Sequence, residues 1–178
     1  THSYQNDFHI VVDNTFSNNE IGVIMYRDSC NNTLASNVFL QSRLGVAIFG
    51  SCNNSLTNNT FVNSGLYVSN DTSSNNIVNN MVNGKPLLYL EGQSDQVIQD
   101  GIGQLILLRC HNITVSEQEI TNTSYGIALL ETTYCHISQN IIMSNACSGI
   151  DLHNGRYNTI ANNTISANAE NGIQLHSN

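Results

Sequence analysis

"CNNTLASNVFLQSRLGVAIFGS", residues 30–51, runs directly into "CNNSLTNNTFVNSGLYVS", residues 52–69. Cys30-Asn31-Asn32-Thr33-Leu34 returns as Cys52-Asn53-Asn54-Ser55-Leu56 after 22 residues, and Phe39 returns as Phe61. A fixed period of this size marks a stacked repeat. Working outward, a Gly or a substitute followed by apolar-x-apolar recurs at Gly22, Gly45, Gly65, Pro86, Gln104, Gly126, Gly149 and Gly172. The intervals are 23, 20, 21, 18, 22, 23 and 23 residues. A second column, polar-x-apolar, ends on Phe16, Phe39, Phe61, Met81, Ile120, Ile142 and Ile165. Eight such units fill the chain.

Each unit consists of short alternating segments of strand length, separated by Asn, Ser or Gly and lacking any helical period. Leucine-rich repeats have a similar length, but their Leu-x-x-Leu-x-Leu pattern is absent. The pattern predicts an all-β chain. It forms a single domain over residues 1–178, a right-handed parallel β-helix of about eight coils with a period of about 22 residues and no evident caps. Coils stack at the strand spacing of ~4.8 Å, so equivalent residues lie over one another. A repeated Asn then builds a side-chain ladder in which each amide both donates and accepts. Leu34 with Leu56 and Phe39 with Phe61 stack inside as core.

Composition narrows the partners. Charged residues make up only 10% of the chain, against roughly 25% in ordinary globular proteins. The net charge is -8, with Lys85 as the single lysine, a balance that repels nucleic acid and anionic membranes. No run approaches the ~18 apolar residues of a membrane span. The chain opens Thr1-His2-Ser3-Tyr4, without a signal-peptide pattern, as a processed or excised segment would. Sequons begin at Asn31, Asn53, Asn58, Asn70, Asn112, Asn122 and Asn162, which are glycan acceptors if the protein is exported and otherwise reflect abundant Asn and Thr.

The five cysteines show no zinc-finger spacing. Cys30 and Cys52 hold the same place in adjacent coils, within the Cα range of a disulfide, so they form either a bond or two stacked thiols. With an odd count, an intermolecular bridge through Cys110, Cys135 or Cys147 stays open.

The segment "NGKPLLYLEGQSDQVIQDGIGQLILLRCHNITVSEQEITNTSYGIALLETTYCHISQNII", residues 83–142, resembles the NosD-type β-helix repeat, and the likeness extends over essentially the whole chain. That family lies within the pectate-lyase-like superfold and is abundant in exported proteins of methanogenic archaea, including surface-layer and envelope proteins. The resemblance implies fold more than function, because the scaffold carries lyases, hydrolases, binders and structural proteins alike. Members that hydrolyse polygalacturonate carry Asn-Thr-Asp, Asp-Asp, Gly-His-Gly and Arg-x-Lys motifs, none of which occurs here. Arg27, Arg43, Lys85, Arg109 and Arg156 fall at unrelated coil positions. Glu117 and Glu119 share one side of a strand, with Glu131 the next nearest acid, but no basic or aromatic residue accompanies them, as on a solvated face. No enzymatic activity is expected.

Counting from the Gly column, positions +2 and +4 point outward. In the last two coils these are Asp151 with His153 and Gln174 with His176. His153 and His176 then stack ~4.8 Å apart, close enough to share a metal. The NosD resemblance makes copper the natural ion. The plain alternative is a pair of exposed histidines with no metal and no other cofactor. His111 and His136 are out of register with this pair.

In the other coils the same positions read Ile24 and Tyr26, Ala47 and Phe49, Tyr67 and Ser69, Leu88 and Leu90, Ile106 and Leu108, Ala128 and Leu130. An outward stripe that is apolar over six coils predicts a lateral interface, through Ile24, Tyr26, Phe49, Tyr67, Leu88, Leu90, Ile106, Leu108 and Leu130, unless a loop or flanking segment covers it. No residues are left over for a cap, so the ends either belong to a longer solenoid or meet neighbouring molecules.

These features together predict a non-catalytic, extracellular or cell-surface structural protein. It is a building block of an envelope layer, sheath or filament whose main partner is itself, with other envelope proteins or glycans as further partners. One alternative is a carbohydrate-binding or polysaccharide-processing module, which an aromatic-lined groove with clustered acids would favour. The other is a NosD-like copper-handling accessory protein.

Overall fold

The computed structural model describes residues 6–177. The described chain is all-β, with 23 short strands and no helix, wound into a parallel solenoid of about eight coils. Among the described residues no helix is long and apolar enough to cross a membrane. Strands Ile10–Val12, Thr33–Ala35, Ser55–Thr57 and Asn76–Val78 make one sheet in the 22-residue register, pairing Val11, Leu34, Leu56 and Ile77. Thr15–Ser17, Val38–Leu40, Thr60–Val62 and Met81–Val82 make a second, which stacks Phe16, Phe39 and Phe61 with ring centroids 5.0 and 4.9 Å apart. Ile21–Tyr26, Leu44–Phe49 and Leu66–Val68 make the third.

The Asn-Asn pairs divide two tasks between them. The first residue turns the corner: Asn31, Asn53, Asn58, Asn79 and Asn162 all have positive φ. Asn tolerates this conformation better than other residues with a side chain, because its short amide bonds locally. The second residue fills the corner. Asn59 Oδ1 accepts from the Asn37 backbone N–H at 2.9 Å and from Asn37 Nδ2 at 3.1 Å. Its own Nδ2 donates to Leu34 O and to Asn80 Oδ1, both at 3.0 Å. Every lone pair and proton of that buried amide is used. Asn32, Asn54 and Asn75 repeat the arrangement at a second corner, and Gln118, Asn140 and Asn163 repeat it further along the chain.

The solenoid is not one continuous stack. Asn83 and Gly84, with φ of 49° and 78°, form a two-residue turn that pairs Met81–Val82 with Lys85–Glu91 antiparallel. This is the Asn-Gly hairpin geometry, in which both turn residues need positive φ. Stacking then restarts: Lys85–Glu91, Gln104–Leu108, Ile127–Leu130, Ile150–His153 and Ile173–His176 pair in parallel as a second run of coils. Leu87, not Pro86, sits opposite Gln104. The one-residue slip turns Leu88 and Leu90 inward, against the core formed by Leu105, Leu107, Leu129 and Ile150.

The second stack closes the open end of the first. Its outward residues Ile106, Leu108, Ala128 and Leu130 share one core with Leu34, Phe39, Phe61, Leu66 and Val68. The edge strand Leu66–Val68 has no backbone partner on that side; the buried Gln104 amide takes its place, accepting from Leu66 N at 2.9 Å and donating to Leu66 O at 2.7 Å. Gly65 permits this approach, since a Cβ there would collide with Thr123 Oγ1 and Gln104 Oε1. Asn83 Nδ2 donates to Thr121 O and Asn122 O, Ser124 Oγ donates to Arg43 O, and Arg43 pairs with Glu170.

The expected lateral interface is therefore corrected at its centre. Ile106, Leu108 and Leu130 are at most 1% exposed within this one chain, because the hairpin folds their face onto the first stack. Phe49 and Tyr67 are half-buried beside that seam, and only Ile24 and Tyr26 stay about half exposed, at 52% and 51%.

Two measurements check this account. Asn58→Gly should leave stability within about 1 kcal/mol of the parent, since Gly adopts the same corner freely. Asn59→Ala should cost about 3 kcal/mol or more, because it strands the Asn37 N–H and the Leu34 carbonyl in the interior. Equilibrium urea unfolding of both variants decides it. Ile106→Asp and Leu108→Asp should destabilise the isolated monomer by at least about 3 kcal/mol, a charge buried without a partner. A parent-like midpoint for either would mean the seam does not form.

Candidate metal centre

The outward face of the second stack changes character at the strand Ile150–His153. Ala128 is followed in register by Asp151 and then Gln174, and Leu130 by His153 and then His176. The His153 and His176 rings stack with centroids 4.2 Å apart at 16°. One ligand atom from each of Asp151, His153 and His176 lies within 4.8 Å of the other two. His176 Nε2 stands 3.4 Å from Asp151 Oδ1.

The environment of the three differs from that of an exposed cluster. Asp151 is 3% exposed. Its Oδ1 and His153 Nδ1 are both buried without a hydrogen-bond partner, two of only three such side-chain atoms among the described residues. Burial pushes the Asp151 carboxyl up, and the two histidines oppose part of that rise. Tyr67, pushed up to about 12 chiefly by burial, feels the Asp151 charge as well, which places the carboxylate at the seam between the stacks. The side chain of His176 is 35% exposed and forms the open side of the cluster. Gln174 is held away from it, its Oε1 accepting from Ser148 Oγ at 2.9 Å and from Asn171 Nδ2 at 3.3 Å.

Two imidazoles and one carboxylate suit a transition metal ion, and buried ligand atoms left unpartnered are the expected state of a site made for a cation. The register of the histidines is readable from the repeat. The burial of Asp151 is not, because it is imposed by the first stack across the hairpin.

The remaining candidates disperse. His111 pairs in register with Thr133, and His136 with Thr114, both away from the cluster. Glu117 turns a corner with φ of 59° while Glu119 opens the next strand, so the two do not share a strand face. Glu131 lies 4.0 Å from Arg109. Cys30 and Cys52 form a disulfide with Cα atoms 4.8 Å apart. Cys110, Cys135 and Cys147 are free thiols and buried, out of reach of another molecule in this fold. Of the sequon residues, Asn31, Asn53, Asn58, Asn112, Asn122 and Asn162 sit at positive-φ corners, and Asn70 donates to Glu131 Oε1 at 3.4 Å.

A family model described as "Periplasmic copper-binding protein (NosD)" matches residues 2–97 and again residues 91–178. No curated protein and no solved structure shows a significant match. The first match runs past the hairpin and through the strand Lys85–Glu91, and the two matches overlap at residues 91–97. Together they span nearly every residue, and the chain belongs to the NosD family.

Proposed function

We propose that this is a non-catalytic envelope β-helix protein that holds one transition metal ion, copper, between Asp151, His153 and His176. The observation that carries the proposal is the pair of buried, unpartnered ligand atoms, Asp151 Oδ1 and His153 Nδ1, facing the more open His176. Copper is the ion in the family's description, and imidazole with carboxylate is a donor set that it accepts. Bound copper would add positive charge beside a buried carboxylate whose nearest counter-charge is the His176 ring, 3.4 Å away, when that ring is protonated. Asp151 provides charge in a water-poor seam, His153 a ring fixed by the strand, and His176 the side from which an ion enters.

Ligation requires a deprotonated carboxylate and neutral imidazoles, so protons compete with the metal and affinity falls as pH falls. Because burial raises the Asp151 carboxyl, that competition reaches to higher pH than for an ordinary aspartate. The sign for the metal-free protein is opposite. A carboxyl raised in the folded state contributes most below its unfolded value, and that contribution is lost as pH rises through the folded value.

Asp151→Asn should therefore raise the melting temperature of the metal-free protein at neutral pH while removing its stabilisation by Cu(II). His153→Ala and His176→Ala should each weaken Cu(II) binding by at least the ~10–100-fold that loss of an outer-shell partner costs. Calorimetric titration of the metal-free protein with Cu(II) reads these effects. Parent-like affinity in all three variants sinks the proposal.

A structural building-block role is the second reading, favoured by the apolar side chains of Ile24 and Tyr26, 52% and 51% exposed on the outward stripe. Ordered fibres or sheets in negative stain, lost on Ile24→Asp, are the expected result. A monodisperse particle at high concentration overturns it.

A further inference from the structure

We infer a second ligand site, for a neutral saccharide, in the groove where the two stacks meet. The groove encloses about 560 Å³, within the ~300–1,000 Å³ of small-ligand sites. The first stack contributes Tyr26, Arg27, Phe49 and Asp71, and the second contributes Glu131. No two of the three charged residues in this wall pair with each other. The Arg27 side chain makes no hydrogen bond or ion pair among the described residues, and its guanidinium lies 5.1 Å above the Tyr26 ring. Asp71 uses Oδ1 to accept from Ser69 Oγ and from the Gly50 N–H, which leaves Oδ2 unbonded. Glu131 accepts a long bond from Asn70 through Oε1, and Oε2 stands 4.0 Å from Arg109.

These features select the chemistry of the occupant. A guanidinium and two carboxylates that line one opening offer it donors and acceptors together. Charge-assisted bonds from such groups are the stronger kind, and ligand hydroxyls can serve both. The lining holds one guanidinium against two carboxylates, and Arg109 beside Glu131 is itself held by Glu91, so an anion gains little there. The cation position over Tyr26 is already filled by Arg27, which disfavours an organic ammonium ligand.

The apolar part of the wall is aromatic. Tyr26 meets Phe49 edge to face at 5.9 Å, and the series continues inward through Tyr67 to Tyr125. Tyr26 is the exposed end of this ladder, and its hydroxyl has no partner among the described residues. The exposed Tyr26 hydroxyl and the Phe49 side chain, beside one guanidinium and two carboxylates, fit a pyranose, which has an apolar C–H face and a rim of hydroxyls. The site exists only because the hairpin at Asn83 brings residue 131 beside residues 26 and 71.

The test is amide chemical-shift mapping of the full chain with cellobiose, maltose and chitobiose, each to about 20 mM, enough to fill a site of millimolar Kd. Glycine betaine and acetate serve as charged probes. The expected result is that at least one disaccharide shifts the amides of residues 26–28, 49–51, 69–72 and 131. Tyr26→Ala and Glu131→Gln should each weaken that binding at least about tenfold, and Glu131→Gln should do so with unchanged melting temperature. His176→Ala should leave it intact, which separates this site from the metal centre. No shifts with any disaccharide, shifts that survive both groove variants, or binding confined to a charged probe each overturn the inference.

Discussion

A solenoid built from coils of about 22 residues turns several corners in every coil, and each corner buries backbone groups that water cannot reach. The side-chain amide resolves this. Placed one residue after a positive-φ position, it accepts from the neighbouring coil's N–H and donates to a carbonyl two or three residues further back. The strands themselves are mostly three residues long and would be marginal alone. Their register holds because each ladder amide bonds its counterparts and the backbone of the adjacent coils, and the stacked Phe16, Phe39 and Phe61 rings impose the same spacing from inside.

This explains why the fold was so legible. Asn-Asn pairs, the Phe column and the Gly column are direct chemical requirements of stacking, so their spacing reports it without ambiguity. The break between stacks was equally written in the chain. Asn83-Gly84 between Met81-Val82 and Lys85-Pro86 is a strong hairpin signal. It was masked because Pro86 fell near the expected Gly position, and extending the repeat through it displaced the strand by one residue. That single step exchanged the inward and outward sets around Leu88 and Leu90. It also hid why the outer stripe is apolar: Ile106, Leu108 and Leu130 are the lid of the first stack.

The candidate site divides along the same line. Register depends on local repeat chemistry, so the alignment of His153 with His176 could be read from spacing alone. Burial depends on what the other stack covers, and no periodicity reports that. Asp151 looks solvated in sequence and is 3% exposed in the fold, with an oxygen left unbonded. The groove around Tyr26 and Glu131 was less legible still, since its walls come from residues more than 100 positions apart. In both places an ordinary-looking polar residue acquires its chemistry from the hairpin.

The disulfide between Cys30 and Cys52 gives the first stack a direction of failure. In a stack where each coil contacts only its neighbours, loss of structure proceeds from a free edge as a zipper opens. The clip joins two successive coils across a 22-residue separation, a loop whose closure in the unfolded chain is worth roughly 3 kcal/mol in the chain-entropy model. Disorder spreading between those two coils meets a covalent stop, and pulling force applied there passes into the clip instead of into the ladder bonds behind it. The other end of that stack is shielded by Gln104 and the second stack. What lies between, from Leu34 to Val82, is held by a covalent clip on one side and by the hydrogen bonds of the seam on the other.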